Sequence, residues 1–251
     1  MGTHLSILLY PATEHNLESF LDEYVGLSRL VDSQNEAWLP MYRDIGNFPI
    51  CLVQAIGFMH EHLVKHMDVK PTNLLVQRKH HSGAISYKIY LADFGIARSY
   101  DTAADAETES STPFSRTYAA PEVVFQEMRG FSADIFSLGC VVLEIYAALI
   151  NKRLDFIEVR RRNPNGDISY QANIVPLSHY MERTRRSQFA FPAMAFWMMH
   201  EDSRFRPTAR ELVSSYDVLK PAPCCIAGSE SFEAESVPFH KAHAYYSEGK
   251  Q

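Results

Sequence analysis

An acid, a cation and an amide lie along one short loop in His66-Met67-Asp68-Val69-Lys70-Pro71-Thr72-Asn73, and Leu74-Leu75-Val76 follow as a strand. Further on, Lys88-Ile89-Tyr90-Leu91-Ala92 reads as a second strand that ends in Asp93-Phe94-Gly95. If the two strands pair, two carboxylates and one amide face each other across them. The arrangement suits a divalent cation bound to phosphates, because hard cations take oxygen ligands, and it sets a base beside that cation.

The first segment resembles the catalytic loop HxDxKxxN of the eukaryotic protein kinases, and the second resembles their DFG motif. Ala120-Pro121-Glu122 matches their APE motif, with Tyr118 ahead of it. Ser132-Ala133-Asp134-Ile135-Phe136-Ser137-Leu138-Gly139 is similar to the start of their central helix, and Asp202-Ser203-Arg204-Phe205-Arg206-Pro207-Thr208 to their late motif ending in Arg-Pro. Five motifs in the family's order are far more specific than any one alone. The resemblance runs from Leu5 to Leu219 and implies an α+β, mainly helical fold, that of the kinase large lobe.

In the family a small, sheet-rich lobe comes first, with a glycine-rich loop over the ATP phosphates and a lysine strand. Here Leu5-Ser6-Ile7-Leu8-Leu9-Tyr10 already resembles the last strand of that lobe, and Tyr10 to His15 reads as a hinge in which Pro11 sets an extended turn. The expected layout is therefore a truncated kinase-like domain over 1–219. Its last small-lobe strand and hinge occupy 1–15, its large lobe 16–219, and a disordered Ser/Glu-rich tail 220–251.

Composition narrows the classes. A chain of 251 residues with 46% hydrophobic content can bury one sizeable core. A formal net charge of -6 argues against a general nucleic-acid-binding role. The four cysteines show no CxxC pair or ligand-like histidine spacing, so neither zinc nor a disulfide framework is expected, and Cys51 and Cys140 read as small core residues. The most apolar helical stretch, Val141 to Ile150, is too short to span a bilayer. No secretory segment is recognised, which sets an intracellular location, cytoplasmic or nuclear, as the default. Met1-Gly2-Thr3-His4-Leu5-Ser6 fits the N-myristoylation template at Gly2, but the template is short and degenerate, so an accidental match is expected and a membrane partner is not.

Local signals place further elements. Asn16 is a good N-cap for a helix with Leu17, Phe20, Leu21 and Tyr24 on one face. Asn47 to Lys65 reads as one long apolar helix, and Gln77 to Ser86 as a polar hairpin whose adjacent His80 and His81 are solvated rather than metal-bound. The acidic, hydroxyl-rich stretch Tyr100 to Ser115 reads as a mobile loop. Ala133 to Ile150 is apolar nearly all round and is expected to be buried. The arginines at 160–162, 183, 185 and 186 read as a solvated face. Gln188 to His200 is a further apolar helix, and Pro207 opens the last one, Thr208 to Leu219.

The resemblance also implies roles. Asp68 would orient the attacking hydroxyl and accept its proton, and Lys70 would neutralise charge on the transferring phosphoryl. Asn73 and Asp93 would hold Mg2+ beside ATP. Leu9 would be the gatekeeper, Ala12 the hinge contact to adenine, Leu75 the floor beneath it, and Asn16 would stand where many relatives carry an acid for the ribose. Ser111 and Thr112 fall in the activation segment, and Ser115 falls where serine/threonine kinases keep a Thr that contacts the Asp and Lys. His66, Phe94 and Gly95 would be architectural, as would Asp134 anchoring the catalytic loop and Glu122 paired with Arg206. Met67 stands where activation-dependent relatives carry Arg, so coupling to a phosphate is absent at that position.

Three functions remain open from sequence. The first is a serine/threonine protein kinase acting on a protein hydroxyl, with weak ATP binding and negligible turnover for lack of the small lobe. The second is a kinase-like binding or scaffold module. The third is a small-molecule phosphotransferase, against which APE and Arg206 argue. Leu5, Ile7 and Leu9 would form an unpaired strand, and such edges promote association. The isolated chain is therefore expected to self-associate or to need a partner over that face. Light scattering at high concentration checks this, and a monodisperse monomer would contradict it.

Overall fold

The computed structural model describes residues 13–30, 37–81, 83–107, 114–184 and 191–217. The expected strand at Leu5 to Tyr10, the nucleotide contacts at Leu9 and Ala12, the hydroxyls Ser111 and Thr112, Gly2 and the tail from 220 lie outside these residues.

A two-residue strand β1 (His15–Asn16) leads into helix α1 (Leu17–Arg29). Asn16 caps it, its side chain accepting the Ser19 backbone N–H at 3.0 Å. Leu17, Phe20, Leu21 and Tyr24 are all buried, as the helical spacing demands. Helix α2 (Leu39–Ile45) follows, then α3 (Phe48–Glu61), each opened by a proline in its first turn, where no backbone N–H is needed.

The long helix expected over 47–65 is shorter. It stops at Glu61 because Leu63 turns left-handed at φ 55, and Val64–Lys65 then form strand β2. Strands β3 (Leu74–His81) and β4 (Ala84–Leu91) pair antiparallel from Leu74↔Leu91 to His81↔Ala84, so the expected polar hairpin over 77–86 is a continuation of the ladder. Strand β1 joins its other edge, with Asn16 opposite Leu75. Strand β5 (Arg98–Ser99) pairs with β2.

The rest is helical: α4 (Pro121–Val124), α5 (Ser132–Leu149), α6 (Arg153–Arg161), α7 (Ile174–Thr184), α8 (Phe191–Met198) and α9 (Ala209–Asp217). The sequence reading named neither α2 nor α6 and α7. Helix α9 begins one residue later than expected. Thr208 closes a reciprocal cap with Glu211, the Glu211 N–H donating to Thr208 Oγ1 at 3.2 Å and the Thr208 N–H to Glu211 Oε2 at 2.7 Å, so Pro207 lies just outside the helix. Cys51, expected as a small core residue with no disulfide, is half-buried against the core and disulfide-bonded.

Helix α5 is the centre of the core. By length and composition it could cross a bilayer, which corrects the shorter apolar stretch read from sequence, but 83% of it is buried inside the protein. It packs closely on α8 through Gly139, where a Cβ would come within 2.8 Å of Met199 Cγ and 3.0 Å of the Ala195 carbonyl. Glu144 is buried in this helix and accepts two hydroxyl hydrogen bonds at 2.7 Å, from Tyr118 and Tyr170, with the guanidinium groups of Arg153 and Arg160 within 4 Å. One internal carboxylate thus ties the APE segment to α5 and α6.

Arg206 closes the same region. Its guanidinium grips Glu122 in two parallel hydrogen bonds of 2.6 and 2.8 Å, both side chains being buried, and also reaches three backbone carbonyls. Arg206→Met is expected to cost about 3–5 kcal/mol, because Glu122 is left charged and unpaired, while adding Glu122→Leu to it is expected to recover much of that loss. Urea unfolding midpoints of the two variants test the difference.

Candidate active site

The site forms where the chain leaves β2, turns, and enters β3. Its shape is dictated by a buried acid on α5. Asp134 Oδ2 accepts the His66 backbone N–H at 2.8 Å and Oδ1 accepts that of Met67 at 2.8 Å. His60 from α3 lies against the same carboxylate, its Nε2 at 3.2 Å. Both loop amides point inward because Met67 adopts φ 69, a left-handed conformation that a side chain of its size takes only where surroundings hold it, at about 1–3 kcal/mol. Burial pushes the Asp134 carboxyl up, but the His60 contact and the two loop amides outweigh it and leave its pKa below the ordinary value.

Loop and strands are tied together next. The buried His66 ring contacts the Ala92 carbonyl through Nε2 at 2.9 Å and accepts the Asp68 N–H through Nδ1 at 3.3 Å, so Nε2 carries the proton in this network. Its ring lies 5.1 Å from that of Phe94. The Ala92 N–H donates to the Asn73 carbonyl at 3.0 Å, extending the β3–β4 ladder by one step. That bond sets Asp93, the residue after Ala92, beside the Asn73 end of the loop. Asp93 is left-handed at φ 61, and its Oδ1 accepts the Gly95 N–H at 3.3 Å.

Three side chains then close a ring, and Asn73 joins it through Asp68. Asp68 Oδ2 accepts Lys70 Nζ at 2.7 Å and Asn73 Nδ2 at 2.9 Å, while Oδ1 accepts the Ser115 hydroxyl at 2.8 Å. Lys70 Nζ also donates to Ser115 Oγ at 2.7 Å, and Asn73 Nδ2 to the Asp68 carbonyl at 2.9 Å. Partial burial raises the Asp68 pKa, but the bonds from Lys70 and Ser115, the Lys70 charge and the Asn73 amide more than offset it, and the net shift is downward. The carboxylate is therefore ionised and aimed at neutral pH.

The same bonds define what a cation would meet. Both contacts of Asn73 Nδ2 are to oxygens, which fixes the amide so that its Oδ1 points away from Asp68. Together with Asp93 this makes a set of hard oxygen donors. Two protein ligands suit Mg2+, which keeps waters and substrate phosphates in its shell, and among the described residues no cluster of three His, Cys, Asp or Glu forms a dedicated cage. Asn73 and Asp93 fit that ion.

Of the residues singled out from sequence, the structure gathers Asp68, Lys70, Asn73 and Ser115 in direct contact, and sets His66, Phe94, Gly95, Asp93 and Asp134 around them. Asn16 and Leu75 lie opposite each other on β1 and β3, one side of the loop. Glu122 and Arg206 stand apart, under the segment that carries Ser115. Sequence reading missed Glu144, whose one signal is an acid inside an otherwise apolar helix. It also missed Lys65, buried directly before His66.

The site lies within a stretch that is similar to known proteins. The model of the protein kinase domain family matches residues 7–216. The chain is similar to a cyclin-dependent kinase 4 homolog of Caenorhabditis elegans, 35% identical over 95 residues, which is 38% of this chain and 21% of that protein. It is also similar to human cyclin-dependent kinase-like 2, 33% identical over 106 residues, 42% of this chain and 20% of that one. A third relative is mitogen-activated protein kinase kinase kinase ANP1 of Arabidopsis thaliana, 37% identical over 97 residues, 38% of this chain and 13% of that one. The matched stretches thus span about a fifth of these relatives or less.

Asp134 supplies a prediction. A folded-state pKa below the unfolded value means stability that is present above the unfolded pKa and is lost as pH falls through the folded one. Asp134→Asn is expected to lose about 1–3 kcal/mol at neutral pH, since an amide cannot accept from both loop N–H groups with a charge, and to lose less than wild type on further acidification below about pH 4. Urea unfolding across that pH range checks both arms.

Proposed function

The chain belongs to the protein kinase domain family, and from that premise we propose that it acts as a serine/threonine protein kinase, with ATP as phosphoryl donor and a protein hydroxyl as acceptor. The closed ring of Asp68, Lys70 and Ser115, with Asn73 bonded to Asp68, carries this reading. An ionised carboxylate held by three donors is aimed rather than free to wander, which is what orienting an acceptor hydroxyl requires. As that hydroxyl attacks, Asp68 takes its proton. Lys70, already shared between Asp68 and Ser115, lies where charge on the moving phosphoryl needs a cation. Ser115 brings the segment ahead of Tyr118 into register with the base, so the acceptor chain and the base are positioned by one hydrogen-bond network. Bound Mg2+ would neutralise phosphate charge, held by Asn73 and Asp93.

The preference for Ser and Thr rests on Lys70, two residues after the acid, which resembles the serine/threonine branch of the family. Adenine and ribose would lie over Leu75 and Asn16. A lobe or partner that covers the α- and β-phosphates is part of the proposal. The chain's acceptor protein is a further part of it, since the matched stretches are short against the relatives' lengths.

The test, with the chain joined to its covering lobe or partner, is transfer of labelled phosphate from ATP with Mg2+ to peptides that differ only in Ser, Thr or Tyr at the acceptor position. Labelling of Ser or Thr but not Tyr is expected, and Asp68→Asn is expected to cut it at least about a hundredfold with the fold intact. Labelling unchanged by that substitution, or directed to Tyr, would overturn the reading.

A further inference from the structure

Lys65 is 2% exposed and belongs to no part of the machinery above. It sits on β2 immediately before the catalytic loop. Its ammonium donates to the Ala106 carbonyl and, at 3.0 Å, to the Arg129 carbonyl, and lies 4.7 Å from the centre of the Tyr100 ring. These partners come from two places in the chain: the early part of the activation segment, at Tyr100 and Ala106, and the loop between α4 and α5. A buried ammonium is costly unless such groups surround it, so the site is built around the charge.

The segment it holds is ordered in detail. The Tyr100 N–H donates to the Leu63 carbonyl at 3.0 Å, that of Ala106 to Ala103 at 3.3 Å, and that of Glu107 to Ala104 at 3.2 Å. Ala106 is fully buried, so residues 100–107 of the loop expected to be mobile over 100–115 are held in place, while 108–113 lie outside the described residues. Gly130 has no side chain, and the Glu107 carboxylate occupies the space where one would lie. Met67, the loop residue that would be placed to meet a phosphate, carries no charge. It lines one small cavity with Lys65, Arg129 and Asp134.

We propose that Lys65 is a positioning residue: its side-chain amine pins residues 100–107 against residues 129–130, so the order of this part of the activation segment does not depend on phosphorylation of the hydroxyls that come after it. The geometry stands without any catalytic assignment, and only its consequence for turnover rests on the kinase reading. A segment pinned by a lysine is fixed when the chain folds, whereas one pinned by a phosphate is fixed only after modification.

Hydrogen exchange on the full 251-residue chain tests this without requiring turnover. Lys65→Met keeps the length of the side chain and removes the charge. It is expected to speed exchange at the Tyr100, Ala106 and Glu107 amides by about tenfold or more, since charge-assisted bonds of this kind are lost, while the amides of α5 stay protected. Lys65→Arg, which keeps the charge, is expected to restore most of the protection. Phosphatase treatment of the wild-type chain is expected to change nothing at these amides. Should Lys65→Met fail to fold, Tyr100→Leu removes the ring beneath the ammonium and is expected to loosen the same three amides. Tyr100→Phe keeps the ring, drops a buried hydroxyl that has no hydrogen-bond partner among the described residues, and is expected to leave them protected. Unchanged exchange in Lys65→Met or Tyr100→Leu, equal loosening in Lys65→Arg and Lys65→Met, or loosening after phosphatase treatment would each overturn the proposal.

Discussion

The carboxylate of Asp134 is the contact on which the site's geometry depends. It is buried in the central helix, where an unpaired charge would be costly, and it is satisfied by two loop amides and one histidine. In return the loop has one conformation. With His66 and Met67 fixed, Asp68 follows at a set angle, and the left-handed turn at Met67 is held rather than sampled. The loop is thus oriented by the central helix of the core, through charge-assisted bonds. The His66 contact with Ala92 then carries that orientation across to the strand that delivers Asp93.

Internal carboxylates organise the lower half of the molecule as well. Asp134, Glu144 and Glu122 are all buried, and each is met by donors from a different part of the chain: loop amides, tyrosine hydroxyls and the Arg206 fork. They occur where segments of irregular backbone cross the helices, which is where apolar packing alone has least to say about register. Each fixes one crossing. The activation segment is tied down at both described ends, by Lys65 at its start and by Tyr118 and Ser115 at its end.

Much of the fold and the site is legible from the residues, for local reasons. Asn16 announces a helix start because its side chain competes for backbone N–H groups, and α1 begins right after it. Two strand-like runs, one preceded by Asp68 and Asn73 and the other followed by Asp93, put these residues near neighbouring strand ends from sequence alone. The features that are not legible are long-range or conformational. Nothing near Leu63 says that the helix must stop at Glu61, because the left-handed turn there is stabilised by the pairing of β2 with the distant β5. Glu144 reads as an intrusion in an apolar helix until Tyr118 and Tyr170 are brought to it from 26 residues away on either side. Lys65 looks like any surface lysine until Ala106 and Arg129 close over it. The short strand at β1 depends on pairing with β3, which no propensity in His15–Asn16 reveals.

The proposed chemistry requires Asn73 and Asp93 to share one cation-sized position beside the Asp68 carboxylate. Paramagnetic broadening by the Mn2+ complex of ATP tests this directly, since broadening falls steeply with distance from the ion. Strong broadening of the Asn73 side-chain amide and of the Asp93 and Gly95 backbone amides is expected, with signals of α9 left sharp. Broadening centred elsewhere, or spread evenly over the acidic surface, would contradict it.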